Sequence, residues 1–473
     1  MKEPHLYLQV ASRIESLITN EVLKTGDKLS SVRNLSHEQG ISVSTAFQAY
    51  YHLENRGLVV SRPKSGYYVK FSPSQFPKAP AISKPLAIVN DVSTDEMITR
   101  VFQDAAREDV VKLALTAPSG DLLPTAKLNK SLVHVMRTMN GSGLHYENLL
   151  GNNNLRKQIA RKSLDWGGSI IDDEVIITTG CMEALIFSLR AVTKPGDTVA
   201  VESPTYFGIL QAMEHIGLKV VELYTNLHTG IDLNELEAAI NKFNIKACLF
   251  IPSFSNPLGS CMPDEKKKEL VELVTRYKIP LIEDDVYGEI YFGKSRPRTC
   301  KSFDKEGYVL YCSSVSKTLA PGYRVGWCLP GEKYFNKIIN LKITSTISTA
   351  SITQAAIGHF LENGRFDHHL NKFRTAFHRQ VLLYIQAIAT YFPDDTLVSH
   401  PQGGFVLWVE LNKKINTIDL LAKAMKINIS FAPGAMFTTQ KRYKNCLRIS
   451  CGQPWSDKIK EALMTLGSLA KDS

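Results

Sequence analysis

At 473 residues the chain exceeds what a single hydrophobic core usually organises, so at least two domains are expected. Hydrophobic residues make up 44% of it, enough for sizeable cores, yet no run is apolar enough for a membrane span. The start, Met1-Lys2-Glu3-Pro4-His5, lacks the apolar stretch of a signal peptide, so a cytoplasmic protein is expected. The formal net charge of +10 permits a polyanionic partner. Residues 1–71 hold nine Lys and Arg against six Asp and Glu, only three of that surplus, so charge alone locates no nucleic-acid-binding domain. Eight cysteines are scattered without a CxxC pair, the first at Cys181, which favours reduced thiols in or near the cores over a disulfide framework or a metal site.

The first 71 residues read as three helices and a hairpin. Val10, Ile14, Leu17 and Ile18 share one helical face, and a turn follows at Lys24-Thr25-Gly26-Asp27. A second helix starts with Ser30 or Ser31 as its N-cap and stops at Gly40, where a left-handed residue is wanted. A third starts at Ser42, with Val43, Ala46, Phe47, Tyr50 and Leu53 expected to face inward, and ends at Gly57. Two helices joined across Gly40-Ile41 make a helix-turn-helix. The run from Leu58 to Val69 is then two short β-rich segments around Arg62-Pro63-Lys64-Ser65-Gly66, a wing with cations at its tip. The helices alone fit a small interaction module equally well; the wing tips the balance toward DNA, with Ser42, Ser44, Thr45 and Gln48 as short polar groups able to enter a major groove.

Residues 72–110 change character. Ser72-Pro73-Ser74-Gln75-Phe76-Pro77-Lys78-Ala79-Pro80, with Pro85 close behind, predicts an extended, semi-stiff linker rather than packed structure, followed by a short helix between Ser93 and Arg107.

From residue 111 onward apolar runs alternate with amphipathic stretches. Glu174 to Thr178, Thr198 to Val201, Ala247 to Pro252, Pro280 to Asp284 and Gly307 to Cys312 read as strands of a mostly parallel central sheet covered by helices, with function expected at the strand ends. Those ends carry an unusual polar set. Thr179-Gly180-Cys181-Met182 is a glycine turn opening a helix, suited to a phosphate. Tyr206, Asn256, the carboxylates of Glu283-Asp284-Asp285 with Tyr287, and Ser313-Ser314-Val315-Ser316-Lys317 follow, and Arg324 lies seven positions beyond. Singly, Lys317 reads as a surface amine, Asp284 as a helix cap and Arg324 as half of a salt bridge. Together they supply what pyridoxal-5′-phosphate (PLP) chemistry needs: an amine for the cofactor aldehyde, a carboxylate for the pyridine nitrogen, an amide and a phenol for the phenolic oxygen, an aromatic for the ring, and Ser, Arg and a helix N-terminus for the phosphate.

These two halves resemble two known families. Gly26 to Arg33, Ser42-Val43-Ser44-Thr45, Leu53 to Val59 and Arg62 to Val69, four separated signatures in order over about residues 5–70, closely resemble the GntR family of winged helix regulators. Ser30 stands where that family commonly has Pro, and Ser caps a helix competently. The resemblance implies Arg33, Ser42, Ser44, Thr45, Gln48, Arg62 and Lys64 as DNA contacts. Over about residues 111–470, Ser316-Lys317-Thr318-Leu319-Ala320-Pro321-Gly322-Tyr323-Arg324, Pro401-Gln402-Gly403-Gly404 and Leu447-Arg448-Ile449-Ser450 are similar to the fold-type I aminotransferases. By matching position that resemblance implies Lys317 as the Schiff-base lysine, Asp284 as the pyridinium partner, Tyr287 and Asn256 as phenolate partners and Tyr206 as the stacking residue. Gly180, Cys181, Met182, Ser314, Ser316 and Arg324 would hold the phosphate, Tyr146 would reach it from a partner subunit, and Arg448 would bind a substrate carboxylate. Asp285 is adjacent, but the family pattern places Asp three positions before Tyr, which favours Asp284.

A winged helix, a linker and an aminotransferase-like domain in that order resemble the MocR class of regulators. The resemblance implies a homodimeric, PLP-dependent DNA-binding transcriptional regulator of bacterial type, with operator DNA as partner, sensing PLP or an amino compound through an aldimine on Lys317. An active aminotransferase of the 2-aminoadipate or aromatic type, with an accessory DNA-binding domain, is the rival reading, since every catalytic position that can be matched is filled. A purely structural PLP domain is disfavoured by the intact Lys317 and Arg448.

Overall fold

The computed structural model describes residues 6–62, 65–70, 76–92, 98, 99, 101, 103, 107–139 and 143–473. At the N-terminus, helices α1 (Leu6–Thr19), α2 (Val32–Glu38) and α3 (Val43–Asn55) are followed by an antiparallel hairpin of β1 (Val59–Arg62) and β2 (Gly66–Val69). The caps fall where side-chain chemistry demands: Ser31 and Ser42 accept the Asn34 and Thr45 N–H groups at 3.1 and 3.0 Å, and Gly40 and Gly57 close α2 and α3 at positive φ. Val10, Ile14, Ile18, Leu35, Ala46, Ala49, Tyr50, Leu53, Val59 and Tyr67 form one core, with the Tyr50 and Tyr67 rings stacked at 4.7 Å. Glu15 of α1 and Arg56 at the end of α3 form a two-pronged ion pair beside it.

Val43 and Phe47, expected to face inward, do not, and Leu17 departs from the buried face of Val10, Ile14 and Ile18. Leu17 is 38%, Val43 53% and Phe47 50% exposed. At about 3.6 residues per turn, Ala46, Ala49, Tyr50 and Leu53 already fill the arc of α3 that meets α1 and the hairpin, so Val43 and Phe47 are carried around to solvent.

The segment at 76–92 is extended, as its prolines require, but it is packed rather than a free spacer. Phe76 sits edge-on to His400, the Val398 N–H donates to the Lys78 carbonyl at 3.0 Å, and Gln440 exchanges hydrogen bonds with both backbone groups of Leu86. Val89–Asp91 (β3) then adds antiparallel to the edge of the large sheet. An extended chain leaves its N–H and C=O groups free, and a sheet edge offers partners for them. Of the short helix expected between Ser93 and Arg107, Ile98, Thr99, Val101 and Gln103 are helical, and the remainder falls mostly outside the described residues.

The large domain is built on a nine-stranded sheet among the described residues. With β4 (Ile176–Thr178), β5 (Thr198–Ser203), β6 (Lys219–Asn226), β7 (Ile245–Phe250), β8 (Leu281–Asp284), β9 (Val309–Ser314) and β10 (Gly326–Leu329), its order is β3-β6-β5-β7-β8-β9-β10-β4, and the short Gly230–Ile231 strand lies on β6. Pairing is parallel from β6 through β9, where helices such as Phe207–Ile216, between β5 and β6, make the crossovers, and α4 (Cys181–Val192) links β4 to β5. At the ends the sheet is mixed: β3, β10 and β4 pair antiparallel. The link from Ser314 to Gly326 is too short for a covering helix, so the chain returns antiparallel. A second, antiparallel sheet near the C-terminus includes β11 (Val406–Glu410) and β12 (Cys446–Ser450). The helix α5 (Arg365–Tyr391) packs against it through Phe377, Val381, Tyr384 and Ile388. Gln386 of α5 also touches the winged helix, its Nε2 donating to the Gly57 carbonyl at 3.3 Å. Seven of the eight cysteines are buried, and no helix among the described residues is long and apolar enough to cross a membrane.

Candidate functional site

The C-terminal ends of β8 and β9 and the N-terminus of α4 enclose a cavity of about 180 Å³. Cys181, Met182, Tyr206, Asn256, Asp284, Tyr287, Ser314, Ser316, Lys317 and Arg324 all line it, brought together from more than 140 positions of sequence by the parallel strands. Gly180 lies just behind, at φ +80 as the N-cap of α4; a Cβ there would come within 2.3 Å of Arg324 Nη2, so the guanidinium occupies the room that glycine leaves. The Arg324 guanidinium donates to Ser316 Oγ at 3.3 Å and to the Thr179 carbonyl at 3.5 Å. Gly326 lets β10 approach this turn closely, since a side chain there would meet the Gly180 carbonyl carbon at 2.4 Å. Exposed helix N–H groups, two serine hydroxyls and a guanidinium thus converge as a dianion would require.

Lys317 follows β9 and reaches across the cavity, its Nζ donating to the Thr116 carbonyl at 2.6 Å. Burial pulls its amine down to about 8, the Arg448 charge adding to the fall and Asp284 opposing it. Asp284, the last residue of β8, is 4% exposed and accepts the Val286 N–H at 3.1 Å and the Cys181 thiol at 3.6 Å. Burial pushes its carboxyl up to about 6, against the Val286 N–H and with the adjacent Asp285 charge adding to the rise. Asp285 points the other way: Arg296 Nη2 at 2.5 Å and the Tyr311 hydroxyl at 2.8 Å hold it outside this cavity. Strand alternation therefore separates the two neighbouring carboxylates.

Arg448 on β12 is 1% exposed and comes from the other sheet. It donates to the Ala114 carbonyl and, at 3.4 Å, to Asn256 Oδ1, and burial lowers its guanidinium to about 10. Arg448 Nε, buried at this junction, has no hydrogen-bond partner among the described residues. A bound group carrying an acceptor would satisfy it, as buried polar atoms require. Tyr146 is 82% exposed and does not line the cavity within its own chain.

Sequence reasoning missed several lining groups. Thr116 acts through its carbonyl, which every residue type offers, so no sequence signal marks it. Leu185, Ile251 and Val286 contribute apolar wall, and apolar residues at strand and helix ends are indistinguishable from core in a sequence.

In the N-terminal domain, Arg33 on α2, Ser42, Ser44 and Gln48 on α3 and Arg62 on the wing are exposed, and Thr45 is half-buried. Ser42 spends its hydroxyl on the cap of α3, within 2.8 Å of Ser44 Oγ and 2.7 Å of Thr45 Oγ1. Arg62 lies over the Tyr68 ring at 4.2 Å. Lys64 lies outside the described residues.

Comparison with known proteins agrees with this division. Residues 108–466 match the family described as aminotransferase class I and II, and residues 6–69 match the bacterial regulatory proteins of the gntR family. The chain belongs to both, and so is a GntR-type helix-turn-helix fused to an aminotransferase-like domain, the MocR-type architecture of DNA-binding transcriptional regulators. It is 37% identical to the HTH-type transcriptional regulator YjiR of Escherichia coli, over 98% of this chain and 97% of that one. It is also 28% identical to the 2-aminoadipate transaminase of Thermus thermophilus, over 79% of this chain and 93% of the other. Among solved structures, kynurenine aminotransferase of Pyrococcus horikoshii superposes with a TM-score of 0.75 at 26% identity, covering 80% of this chain and 95% of that one.

Proposed function

We propose that this regulator holds PLP in the cavity around Lys317 and changes its hold on operator DNA when an amino compound enters the same cavity. The observation that carries the reading is the confluence, in one cavity, of a lysine amine lowered to about 8 and a buried carboxylate pushed up to about 6, beside a buried Arg448 Nε without a hydrogen-bond partner among the described residues. When bound, PLP supplies an aldehyde for the Lys317 amine and a ring nitrogen whose proton offsets the buried Asp284 charge. The chain's own residues do the rest. The α4 N-terminus, Ser314, Ser316 and Arg324 hold the phosphate, Asn256 and Tyr287 hold the phenolic oxygen, and Tyr206 covers the ring. Arg448 would orient an incoming α-carboxylate, and Lys317 Nζ would carry a proton. Tyr146 would complete the phosphate site from the partner subunit of a homodimer.

Helix α5 supports a route between the two functions. Near one end, His369 Nε2 donates to the carbonyl of Thr318, next to Lys317, at 2.7 Å. Toward the other end, Gln386 holds the carbonyl of Gly57, which closes the recognition helix α3. A shift of the Lys317 loop that moved α5 would therefore reach α3 directly, and linkage requires DNA to change ligand affinity by the same factor.

Full-length protein loaded with PLP is titrated with L-2-aminoadipate and L-phenylalanine by absorbance, with and without DNA from upstream of its own coding sequence. Different dissociation constants in the two titrations are expected, and equal ones for every ligand that perturbs the spectrum would refute the coupling. The rival reading, an aminotransferase with an accessory DNA-binding domain, is favoured by the completeness of the cavity. Steady-state turnover with 2-oxoglutarate without a specific mobility shift would establish it.

A further inference from the structure

The outward face of α3 has an unusual composition for a surface that meets DNA. Val43, Phe47 and Tyr51 recur every four residues and are 53%, 50% and 54% exposed. The rings of Phe47 and Tyr51 stack at 6.3 Å with an interplanar angle of 13°, so the row is ordered rather than a set of separate side chains. Beside it runs a second exposed row, Ser44 and Gln48. Between Val43 and Asn55 the helix contains no Lys or Arg at all. Its one carboxylate, Glu54, is occupied in accepting the Ser61 N–H of the wing at 2.8 Å. The exposed cations described in the domain, Arg33 on α2 and Arg62 on the wing among them, all lie outside α3.

A contiguous apolar row left exposed on a small domain marks a surface that is covered in use. In a major groove, the apolar group a protein can meet is the thymine 5-methyl, and the side-chain amide of Gln pairs with the N7 and N6 edge of adenine. Guanine is most often read by Arg or Lys, and this face offers neither. From Val43 to Tyr51 the row spans about 12 Å at ~1.5 Å per residue, the length of three to four base pairs at ~3.4 Å each.

We propose that α3 reads A·T pairs, with Val43, Phe47 and Tyr51 packing on thymine methyls and Gln48 on the paired adenines, so that sequence preference in each half-site is set by methyl groups rather than by guanine contacts. This rests on the assignment of the N-terminal domain as the DNA-binding part, and the occupant of the apolar row is the duplex itself.

The test selects duplexes from a random 30-base-pair library with full-length protein at about 150 mM salt, then rebuilds the enriched site with deoxyuridine for thymidine. That exchange deletes the 5-methyl groups and leaves base pairing intact, so it needs no protein variant. Enrichment of A·T-rich half-sites is expected, with affinity falling about fourfold for each methyl removed from a contact, the worth of one buried CH₂. Phe47→Ala, at a half-exposed position that leaves the core untouched, should bind the thymidine site more weakly and lose part of the distinction between thymidine and deoxyuridine. Phe47→Leu should restore part of it. Enriched half-sites dominated by G·C pairs, or equal affinity of the wild type for both duplexes, would overturn the inference while leaving DNA binding intact. Failure to enrich any sequence would overturn both it and the assignment of the domain.

Discussion

The two functional regions treat their polar groups in opposite ways. Around Lys317 the working side chains are withdrawn from water: Asp284, Asn256, Tyr287 and Arg448 are each under 5% exposed, and burial displaces the Lys317 amine and the Asp284 carboxyl toward neutrality. On the winged helix, Arg33, Ser42, Ser44, Gln48 and Arg62 stand in solvent. A small ligand can be surrounded, so its site gains from desolvation, which strengthens every charge interaction inside it. A duplex cannot be surrounded by 70 residues, so its site must be a surface, where recognition depends on shape, row spacing and flanking cations.

The contrast is tested most severely by Lys317→Ala. Borohydride should fix PLP to the wild type at Lys317 and fix none to the variant, while the variant stays folded by circular dichroism and still shifts DNA. Attachment at another lysine would remove Lys317 from its role. The second test works from the other end. Leu53 is fully buried among α1, α3 and the hairpin, and Leu53→Ala should cost the small domain about 2–5 kcal/mol, enough to abolish operator binding. PLP uptake should not change; if it does, the two regions are not separable in the way their cores suggest.

The pH dependence of cofactor uptake sharpens the comparison further. Only a neutral amine attacks an aldehyde, and a Lys317 lowered to about 8 is half neutral at that pH, where an ordinary lysine is almost wholly charged. The rate of borohydride-trappable adduct formation by apoprotein should rise roughly fiftyfold from pH 6 to pH 8 and then level off, since the neutral fraction changes about tenfold per pH unit below the pKa. A rate still climbing tenfold per unit at pH 10 would mean that the amine is not desolvated. Removing the buried cation, as in Arg448→Met, should weaken binding of L-2-aminoadipate about tenfold to a hundredfold, the worth of a charge-assisted hydrogen bond, with PLP content unchanged. The smallest effect belongs to Ser42→Ala, which deletes the α3 cap bond to the Thr45 N–H. It should lower the melting free energy of the small domain by about 1 kcal/mol and weaken DNA binding modestly, as calorimetry and mobility shift would show together.

Legibility in the sequence follows the same division. The residues that line the cavity were readable as a set, not one by one, because an amine, a carboxylate, an amide and a guanidinium recur in order at strand ends that the apolar runs already marked. On the winged helix the cap serines and the terminating glycines were equally readable, since Ser31, Ser42, Gly40 and Gly57 answer to local backbone geometry. The inward face of α3 was misread at Val43 and Phe47 because hydrophobicity does not say whether an apolar side chain meets a core or a partner. The proline-rich stretch was read correctly as extended and wrongly as unpacked, because extension is a property of the chain and docking a property of what lies beside it.

By itself, then, the sequence determined the two-part organisation, the α/β class of the larger part and the residue types of its cavity, all of which depend on composition, periodicity and motif order along the chain. Only the tertiary structure decided which way Asp284 and Asp285 point, that the Thr116 carbonyl receives Lys317, that Arg448 arrives from a second sheet, that the sheet turns antiparallel at its ends, and that Val43, Phe47 and Tyr51 are left in the open. Each of these is settled by packing between segments far apart in the chain, where the available space and the partners already present select among arrangements that are locally equivalent.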